Sequence, residues 1–306
     1  MAKLKEFISL LVIVLVTVYF SLNYKNIITT FKSFFEEPKV IILDGNEYTK
    51  NKNYLFVQHT DTYEVNTYQD LLNVYYSLLD QGWDEFTFYC NKEYVGCIND
   101  VERISKDEVL LSSINNYIHP FNSYSEIRTV YDDLGEVTVL VTHLYNKEEI
   151  PKINYKLDEI FAKETNDNMD SFTKLRVLHD YIVNTTTYDI TQAETKDSQY
   201  DSTKINGILF EGHGICSAYA DLISVILSRL NIDNFKVSSS SHVWNAVFNG
   251  EKFLHLDATW DDPVSDSGIQ TLSHDYYLIS TEKLRNDNHD TKNEHTFDNK
   301  YYLYFQ

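Results

Sequence analysis

The sequence predicts an α+β fold in which a helix that begins at Cys216 packs on an antiparallel sheet. The helix is indicated by apolar residues at helical spacing, namely Tyr219, Leu222, Ile223, Ile226, Leu227 and Leu230. The sheet is indicated by residues 241–260, SHVWNAVFNGEKFLHLDATW, where two alternating apolar runs flank Asn249-Gly250, a strong hairpin signal. Mixed helix and strand patterns over 46–150 predict a small α/β domain ahead of this core.

Length and charge limit the functions open to the chain. It has 306 residues and a formal net charge of −20 at pH 7. That length suits one large domain or two modest ones. Nucleic-acid binding requires basic patches, so a strongly acidic chain argues against a nucleic-acid partner.

Residues 7–24, FISLLVIVLVTVYFSLNY, contain no charged side chain. A helix of this length spans about 27 Å, enough to cross a thin bilayer. Lys3 and Lys5 precede the run, which predicts a cytoplasmic segment 1–6, a transmembrane signal anchor 7–24 and the rest on the outer face of the cell membrane. A cleaved signal peptide is the alternative, but no Ala-x-Ala-like site follows, which favours a retained single-pass anchor.

A juxtamembrane linker over 25–45 leads into an accessory α/β domain over 46–150. Its predicted elements are helices over 71–79 and 107–117 and strands over 85–90, 124–130 and 136–144. The first helix ends at Gly82, and the second follows Ser105, a residue type that caps helices. No group of charged residues in this domain suggests chemistry.

The second domain, 151–306, is predicted to carry the functional site. A helix capped by Asp170 or Ser171 precedes a long polar stretch over 190–206. Loops of this length are more often functional or mobile than idle. This one precedes the cysteine helix, so it is placed to form a rim of a cleft.

The chain has three cysteines, Cys90, Cys97 and Cys216. An odd count in an exported protein indicates a free thiol, and Cys216 is the natural remainder. A hairpin with strands over 86–90 and 94–98 would place Cys97 opposite Thr87 rather than Cys90. The sequence therefore leaves a Cys90–Cys97 disulfide open.

The hairpin places a histidine and an aspartate together. With a two-residue loop, Phe248 pairs with Glu251, and each further pair lies one residue outward on both strands. His242 then falls opposite Asp257, with Cβ atoms roughly 5 Å apart on one face. By the same register Trp244 faces His255. The distance suits a hydrogen bond between an imidazole and a carboxylate.

Cys216 lies in the first turn of its helix, where the helix dipole and free N–H groups favour a thiolate. It also lies on the buried stripe, so it points toward whatever the helix packs against. If that is the hairpin, Cys216, His242 and Asp257 form a nucleophile, a general base and a carboxylate that orients the base. Taken singly, each has an ordinary structural explanation, because helical cysteines are usually small buried apolar residues. The combination is what predicts a catalytic triad.

Other polar groups have simpler explanations. His213-x-x-Cys216 lacks the further ligands that a zinc site needs, so neither a metal nor another cofactor is expected. Asp261, Asp262 and Asp266 lack the order of a calcium loop, which favours a solvated turn after the strand. His255 is expected to be structural. Tyr188 is a candidate for oxyanion stabilisation, but the Cys216 N–H is the better-founded donor.

The run from about Lys174 to His289 resembles the transglutaminase-like superfamily of papain-type cysteine enzymes. The segments that carry the resemblance are Leu178-His179-Asp180-Tyr181, Tyr188-Asp189, Gly214-Ile215-Cys216-Ser217-Ala218-Tyr219-Ala220, His242-Val243-Trp244-Asn245 and Leu256-Asp257-Ala258-Thr259-Trp260-Asp261-Asp262-Pro263. In that family the cysteine opens a helix, and the histidine and aspartate come from adjacent strands. Val243 stands where members often have alanine, without chemical consequence.

The resemblance implies a papain/transglutaminase-like core and acyl transfer through Cys216, His242 and Asp257. It covers both hydrolysis of amide bonds and crosslinking. The polar stretch 190–206 favours a cleft open to water, and therefore a peptidase-like enzyme acting on a protein or peptide, such as a cell-surface or cell-wall peptide. Transglutaminase crosslinking and a non-catalytic binding module are the alternatives. Trp244 could shield the site, although core packing explains it better.

Overall fold

The computed structural model describes residues 13–23, 44–61, 63–132, 134–263 and 271–306. The chain divides into two compact units, Met1–Leu43 and Asp44–Gln306. In the first unit, residues 13–23 form helix α1. None of the helices in the described part of the chain is long and apolar enough to cross a membrane. The other residues of the predicted anchor 7–24 lie outside the described residues, so the anchor stays a prediction.

The second unit begins with a four-stranded sheet in the order β1-β2-β4-β3. Strand β1 is parallel to β2, and the remaining pairs are antiparallel. The strands are β1 (Glu64–Val65), β2 (Glu85–Cys90), β3 (Tyr124–Tyr131) and β4 (Glu136–His143). The helices of this part are α2 (Tyr68–Gln81), α3 (Cys97–Lys106) and α4 (Glu108–Asn115). The pattern of helices and strands predicted for 46–150 is confirmed in outline.

Local signals explain where these helices start and stop. Thr67 and Asp70 form a capping box at the start of α2, and Gly82 ends the helix in the left-handed conformation at φ 69°. The predicted cap of the second helix is wrong. Ser105 lies inside α3, and the carboxylate of Asp107 caps α4 by accepting from the N–H of Leu110 at 2.9 Å.

Cys90 and Cys97 form a disulfide with their Cα atoms 6.0 Å apart. Strand β2 ends at Cys90 as predicted, but the hairpin considered above does not form, because residues 94–98 are not a strand. A turn after Cys90 leads instead into α3, which begins at Cys97. Helical geometry turns the Cys97 side chain back toward the strand, a direction that a regular hairpin would not give it.

The remaining part of the second unit carries helices on a three-stranded antiparallel sheet in the order β7-β8-β9. Its helices are α5 (Glu149–Glu164), α6 (Ser171–Thr185), α7 (Ile190–Thr195), α8 (Cys216–Arg229) and α9 (Thr281–Arg285). Its strands are β5 (Thr187–Tyr188), β6 (His213–Gly214), β7 (Asn234–Ser238), β8 (Val243–Phe248) and β9 (Phe253–Leu256). Strands β5 and β6 form a separate parallel pair. The predicted cap Asp170 starts α6 by accepting from the N–H of Thr173 at 2.8 Å.

Helix α8 is the centre of the core. Every member of its predicted apolar stripe is at most 8% exposed, and the helix packs on β7 and β8. A cysteine at its first position is thereby held against the end of the sheet. The expectation of a helix that begins at Cys216 and packs on an antiparallel sheet is confirmed.

The hairpin is real, but its predicted register is wrong by two residues. Phe248 pairs with Phe253 rather than Glu251, because the loop has four residues. The Asn249 side chain accepts from the N–H groups of Glu251 and Lys252 at 3.0 and 2.9 Å, and this Asx turn lengthens the loop. A two-residue shift keeps every side chain on its face, since the strand period is two.

The predicted division at residue 150 stays a prediction, since 44–306 is one compact unit. Helix α5 begins at Glu149 and so runs across that boundary. Contacts join the two parts: the Tyr145 hydroxyl donates to the Asp221 carboxylate at 2.8 Å, and the Asn116 amide donates to the Tyr302 hydroxyl at 2.8 Å.

Candidate active site

Cys216 is the first residue of α8 and the free thiol of the chain. Gly214 is needed just before it, because a Cβ there would lie 2.6 Å from the Ile208 side chain. The extended residue Ile215 fixes the entry by donating its N–H to the Ser202 carbonyl at 2.8 Å. Cys216 is partly exposed, so it is not sealed in the core.

His242 and Asp257 meet beside this thiol. The Nε2 atom of His242 donates to the Asp257 carboxylate at 2.5 Å, and both side chains are at most 4% exposed. The Cys216 thiol is a further hydrogen-bond partner of His242, which leaves ring nitrogen Nδ1 for the sulfur. His242 lies just before β8 and Asp257 just after β9. The structure therefore brings together all three predicted residues.

The electrostatics favour a charged imidazole. Burial disfavours the imidazolium, but the Asp257 carboxylate and the hydrogen bonds to Asp257 and Cys216 outweigh it and raise the pKa of His242 to about 10. Burial likewise acts against ionisation of Asp257, but His242 and His295 hold the pKa of that carboxyl far below its usual value. The pair is thus set up as an imidazolium and a carboxylate.

Both oxygens of Asp257 are held. Oxygen Oδ1 accepts from the N–H groups of Thr259 and Trp260 at 2.9 and 3.2 Å. Oxygen Oδ2 accepts from His242 and, at 3.0 Å, from Nε2 of His295. Sequence analysis missed His295, because no helix or strand pattern places it relative to the hairpin.

A cleft of about 550 Å³ opens at His242. Among the residues that line it are Tyr188, Ile190, Glu194, Trp260, Asp262, Lys292 and Glu294. The predicted rim over 190–206 is therefore present in part, although its first residues form α7 rather than a loop. Burial and the nearby Cys216 raise the pKa of Tyr188 to about 12, so its hydroxyl keeps its proton in the cleft.

Trp244 and His255 belong to the core, as expected. Trp244 is 1% exposed, and its indole donates to Nδ1 of His255 at 3.0 Å. Trp260, by contrast, lines the cleft.

The expected solvated turn after the strand is wrong, because Asp261 and Asp262 are 0% and 6% exposed. Asp261 accepts from the N–H of Tyr276 at 2.9 Å. Asp262 accepts from the Tyr219 hydroxyl at 2.5 Å, and burial raises the pKa of this carboxyl to about 6. Asp266 lies outside the described residues.

Within the described part of the chain, two groups of side chains bring metal-type donor atoms within 4.8 Å of one another, His242 with Asp257 and His295, and His179 with Asp180 and His274. Hydrogen bonds join the donors in both groups. In the second, Nε of Arg176 lies 3.3 Å from the Asp180 carboxylate, a position unfavourable for a cation.

His213 does not converge with Cys216 on such a group; its ring stacks on Tyr200, with centroids 3.7 Å apart. The expectation that the protein needs no metal or other cofactor stays an expectation.

Comparison with known proteins finds a family match that includes the three residues. A model of the transglutaminase-like superfamily matches residues 158–258, which carry Cys216, His242 and Asp257. Those residues form a transglutaminase-like superfamily domain, within a mixed α+β structure. A search of curated proteins found no match.

Two solved structures are similar over part of their length. One is a crystal structure of a TGase, with 13% identity, a TM-score of 0.31 and 45% of each chain covered. The other is that of a candidate cysteine protease from Cytophaga hutchinsonii, with 17% identity, a TM-score of 0.28 and coverage of 44% of this chain and 61% of that one. The chain thus spans less than two thirds of either relative.

Proposed function

We propose that the protein is an extracytoplasmic thiol enzyme that cleaves amide bonds of a protein or peptide through an acyl-enzyme at Cys216. The observation that carries the proposal is the continuous hydrogen-bond chain from Cys216 through His242 to Asp257, open to a cleft at one side. A thiol, a base and an orienting carboxylate in this order are the parts that nucleophilic acyl transfer needs.

In acylation, the Cys216 sulfur attacks the substrate carbonyl carbon with its proton already on His242, which rests as the imidazolium. The C–S bond forms while the carbonyl electrons move to oxygen. The Cys216 N–H lies in the first turn of α8, where backbone donors lack intrahelical acceptors, and is placed to stabilise that oxygen. The C–N bond then breaks, His242 returns the proton to the leaving amine, and a thioester remains.

In deacylation, His242 takes a proton from water as its oxygen attacks the thioester carbonyl. The C–S bond breaks, a carboxylic acid leaves and the thiol is restored. An amine in place of water would give a crosslink, the alternative outcome. Hydrolysis is favoured because polar and charged side chains such as Glu194, Lys292 and Glu294 leave the cleft wet, whereas amine transfer needs water excluded.

The location belongs to the same proposal. The uncharged run 7–24 after Lys3 and Lys5 supports a single-pass anchor with the enzyme on the outer face. The Cys90–Cys97 disulfide supports an oxidising compartment. The substrate would then be a cell-surface or cell-wall peptide. The net charge of −20 argues against a nucleic-acid partner.

The test incubates the purified full-length chain with mixed peptides and a tagged primary amine, and reads the products by mass spectrometry. Cys216→Ser is the matched control, since it exchanges one atom. We expect new peptide termini with the wild type and none with the variant.

Other outcomes identify the alternatives. Amine incorporated at glutamine with release of ammonia, and no cleavage, would establish the crosslinking reaction instead. If no product forms and iodoacetamide labels Cys216 no faster than free cysteine, the binding module is correct. A reactive thiol without products contradicts a broad peptidase.

A further inference from the structure

His295 is a third buried side chain at the site, beside His242 and Asp257, and it comes from outside the segment 158–258 that matches the superfamily. It is 5% exposed, and its Nε2 lies 3.0 Å from Oδ2 of Asp257. His242 donates to the same oxygen. One carboxylate oxygen therefore receives two imidazole N–H groups.

The ring of His295 is held from every side. It stacks on Tyr276 with an interplanar angle of 14°, and Trp260 and Trp244 pack edge-on with centroids 4.7 and 5.0 Å away. Its backbone N–H donates to the Asp290 carboxylate at 2.9 Å, and its Nδ1 lies 3.3 Å from the same oxygen. The direction of the Nε2–H bond is thus fixed toward Asp257.

Two donors that share an acceptor oxygen divide its charge. Each bond is weaker than it would be alone, so the second donor reduces the stabilisation that the carboxylate gives to the first imidazolium. A general acid–base residue must both take and release a proton within one turnover. A His242 bound by Asp257 alone would hold its proton too tightly to give it to the leaving amine.

We propose that His295 is a positioning residue that shares the Asp257 carboxylate with His242 and so limits how tightly His242 holds its proton. The proposal rests on the proposed function, because it concerns proton transfer at the same site. The titratable groups that face His295 are Asp257, His242, Asp290, Tyr276 and His255. Of these, Asp257 alone contacts both imidazoles of the pair through one oxygen.

The test is an NMR titration of the His242 ring in the full-length chain, with the signal assigned by its loss in His242→Gln. His295→Gln keeps an N–H donor near the position of Nε2, and His295→Met has the same length without a donor. We expect the Met variant to bind the His242 proton about tenfold more tightly than wild type, a rise of one pKa unit. The Gln variant should stay within about threefold.

A purely structural role predicts another pattern. Two variants that lose the ring would then behave alike, and equal His242 titrations in Gln and Met would overturn the proposal. A lower proton affinity in the Met variant would overturn it as well. If the Met variant does not fold, His295→Phe keeps a ring without a donor and must show the same tenfold rise.

The titration does not need a reactive thiol. An inert Cys216 would therefore defeat the proposed function, whereas unchanged His242 titrations beside a reactive Cys216 would defeat this inference alone.

Discussion

Trp244 donates a hydrogen bond from its indole Nε1 to Nδ1 of His255, at 3.0 Å, deep in the sheet. The acceptor nitrogen must be unprotonated, so the other ring nitrogen carries the proton toward the Thr281 hydroxyl, 3.0 Å away. Burial, with the nearby His295 and Arg285, lowers the pKa of His255 to about 3. A neutral histidine is thus built into the wall behind the candidate site.

His255 makes the free energy of unfolding depend on pH in the acidic range. The unfolded chain binds this proton near pH 6.5 and the folded chain near pH 3, so the free energy of unfolding falls as the pH is lowered through that window. A glutamine can accept from Trp244 and donate to Thr281 without titrating. We compare the free energy of unfolding of His255→Gln with that of wild type at each pH. This difference should shift by about 2 kcal/mol in favour of the variant between pH 7 and pH 5. Urea unfolding at several pH values measures this, and a constant difference would contradict it.

Asp257 controls the charge of His242. In Asp257→Asn the amide oxygen can still accept from Thr259 and Trp260, but the negative charge is gone. We expect the rate of Cys216 alkylation by iodoacetamide near pH 6 to fall at least tenfold, because one pKa unit corresponds to a factor of ten. Asp158→Asn, an exposed carboxylate that pairs with Arg229, is the control and should leave the rate unchanged. Equal alkylation rates in both variants would show that the reactivity of Cys216 does not depend on the Asp257 charge.

Asp221 of α8 and Lys236 of β7 form a buried ion pair, with 2.6 Å between Nζ and Oδ1 and both side chains at most 8% exposed. Removing one partner leaves a buried charge alone, so Asp221→Ala should lower the free energy of unfolding by about 3–5 kcal/mol. The control is Glu102→Ala, which breaks the exposed pair with Lys106 and should cost less than about 1 kcal/mol. Chemical denaturation compares them; similar losses would contradict a special role for burial.

The disulfide closes a short loop, since Cys90 and Cys97 are 7 residues apart. Chain entropy predicts that Cys90→Ser with Cys97→Ser lowers the free energy of unfolding by roughly 2–3 kcal/mol. A reducing agent should lower the free energy of unfolding of the wild type by a similar amount and leave that of the double variant unchanged. A reductant effect on the double variant would show another cause.

Much of the site follows from periodicity alone. The apolar stripe of α8 fixed which face of the helix is buried, and the alternation in β8 and β9 fixed which face His242 and Asp257 share. The wrong loop length did not change which residues share a face, because the error is an even number of residues. The predicted pairing was wrong by two residues, yet a strand repeats every two residues and the same side chains still meet.

The features that the sequence could not predict lie in segments whose apolar residues follow neither the helical nor the strand repeat. His295 reaches Asp257 across 38 residues, and no local rule links the two. From the sequence, Asp261 and Asp262 are expected in a hydrated turn, because aspartates are usually exposed. In the structure both are buried: Asp261 lies 3.2 Å from His179, and Asp262 accepts a hydrogen bond from the Tyr219 hydroxyl. Burial of such groups depends on tertiary partners rather than on neighbours in the chain.

The arrangement of the three cysteines has a redox consequence. With Cys90 and Cys97 bonded to each other, Cys216 has no second thiol in this chain with which to pair. A sulfenic acid formed on Cys216 therefore finds no resolving cysteine within this chain. Apart from condensing with a backbone nitrogen to a sulfenamide, it reacts with an external thiol or proceeds to the irreversible sulfinic state. In a compartment oxidising enough to keep the disulfide, the lifetime of the reduced Cys216 thiol would depend on small thiols supplied from outside the molecule.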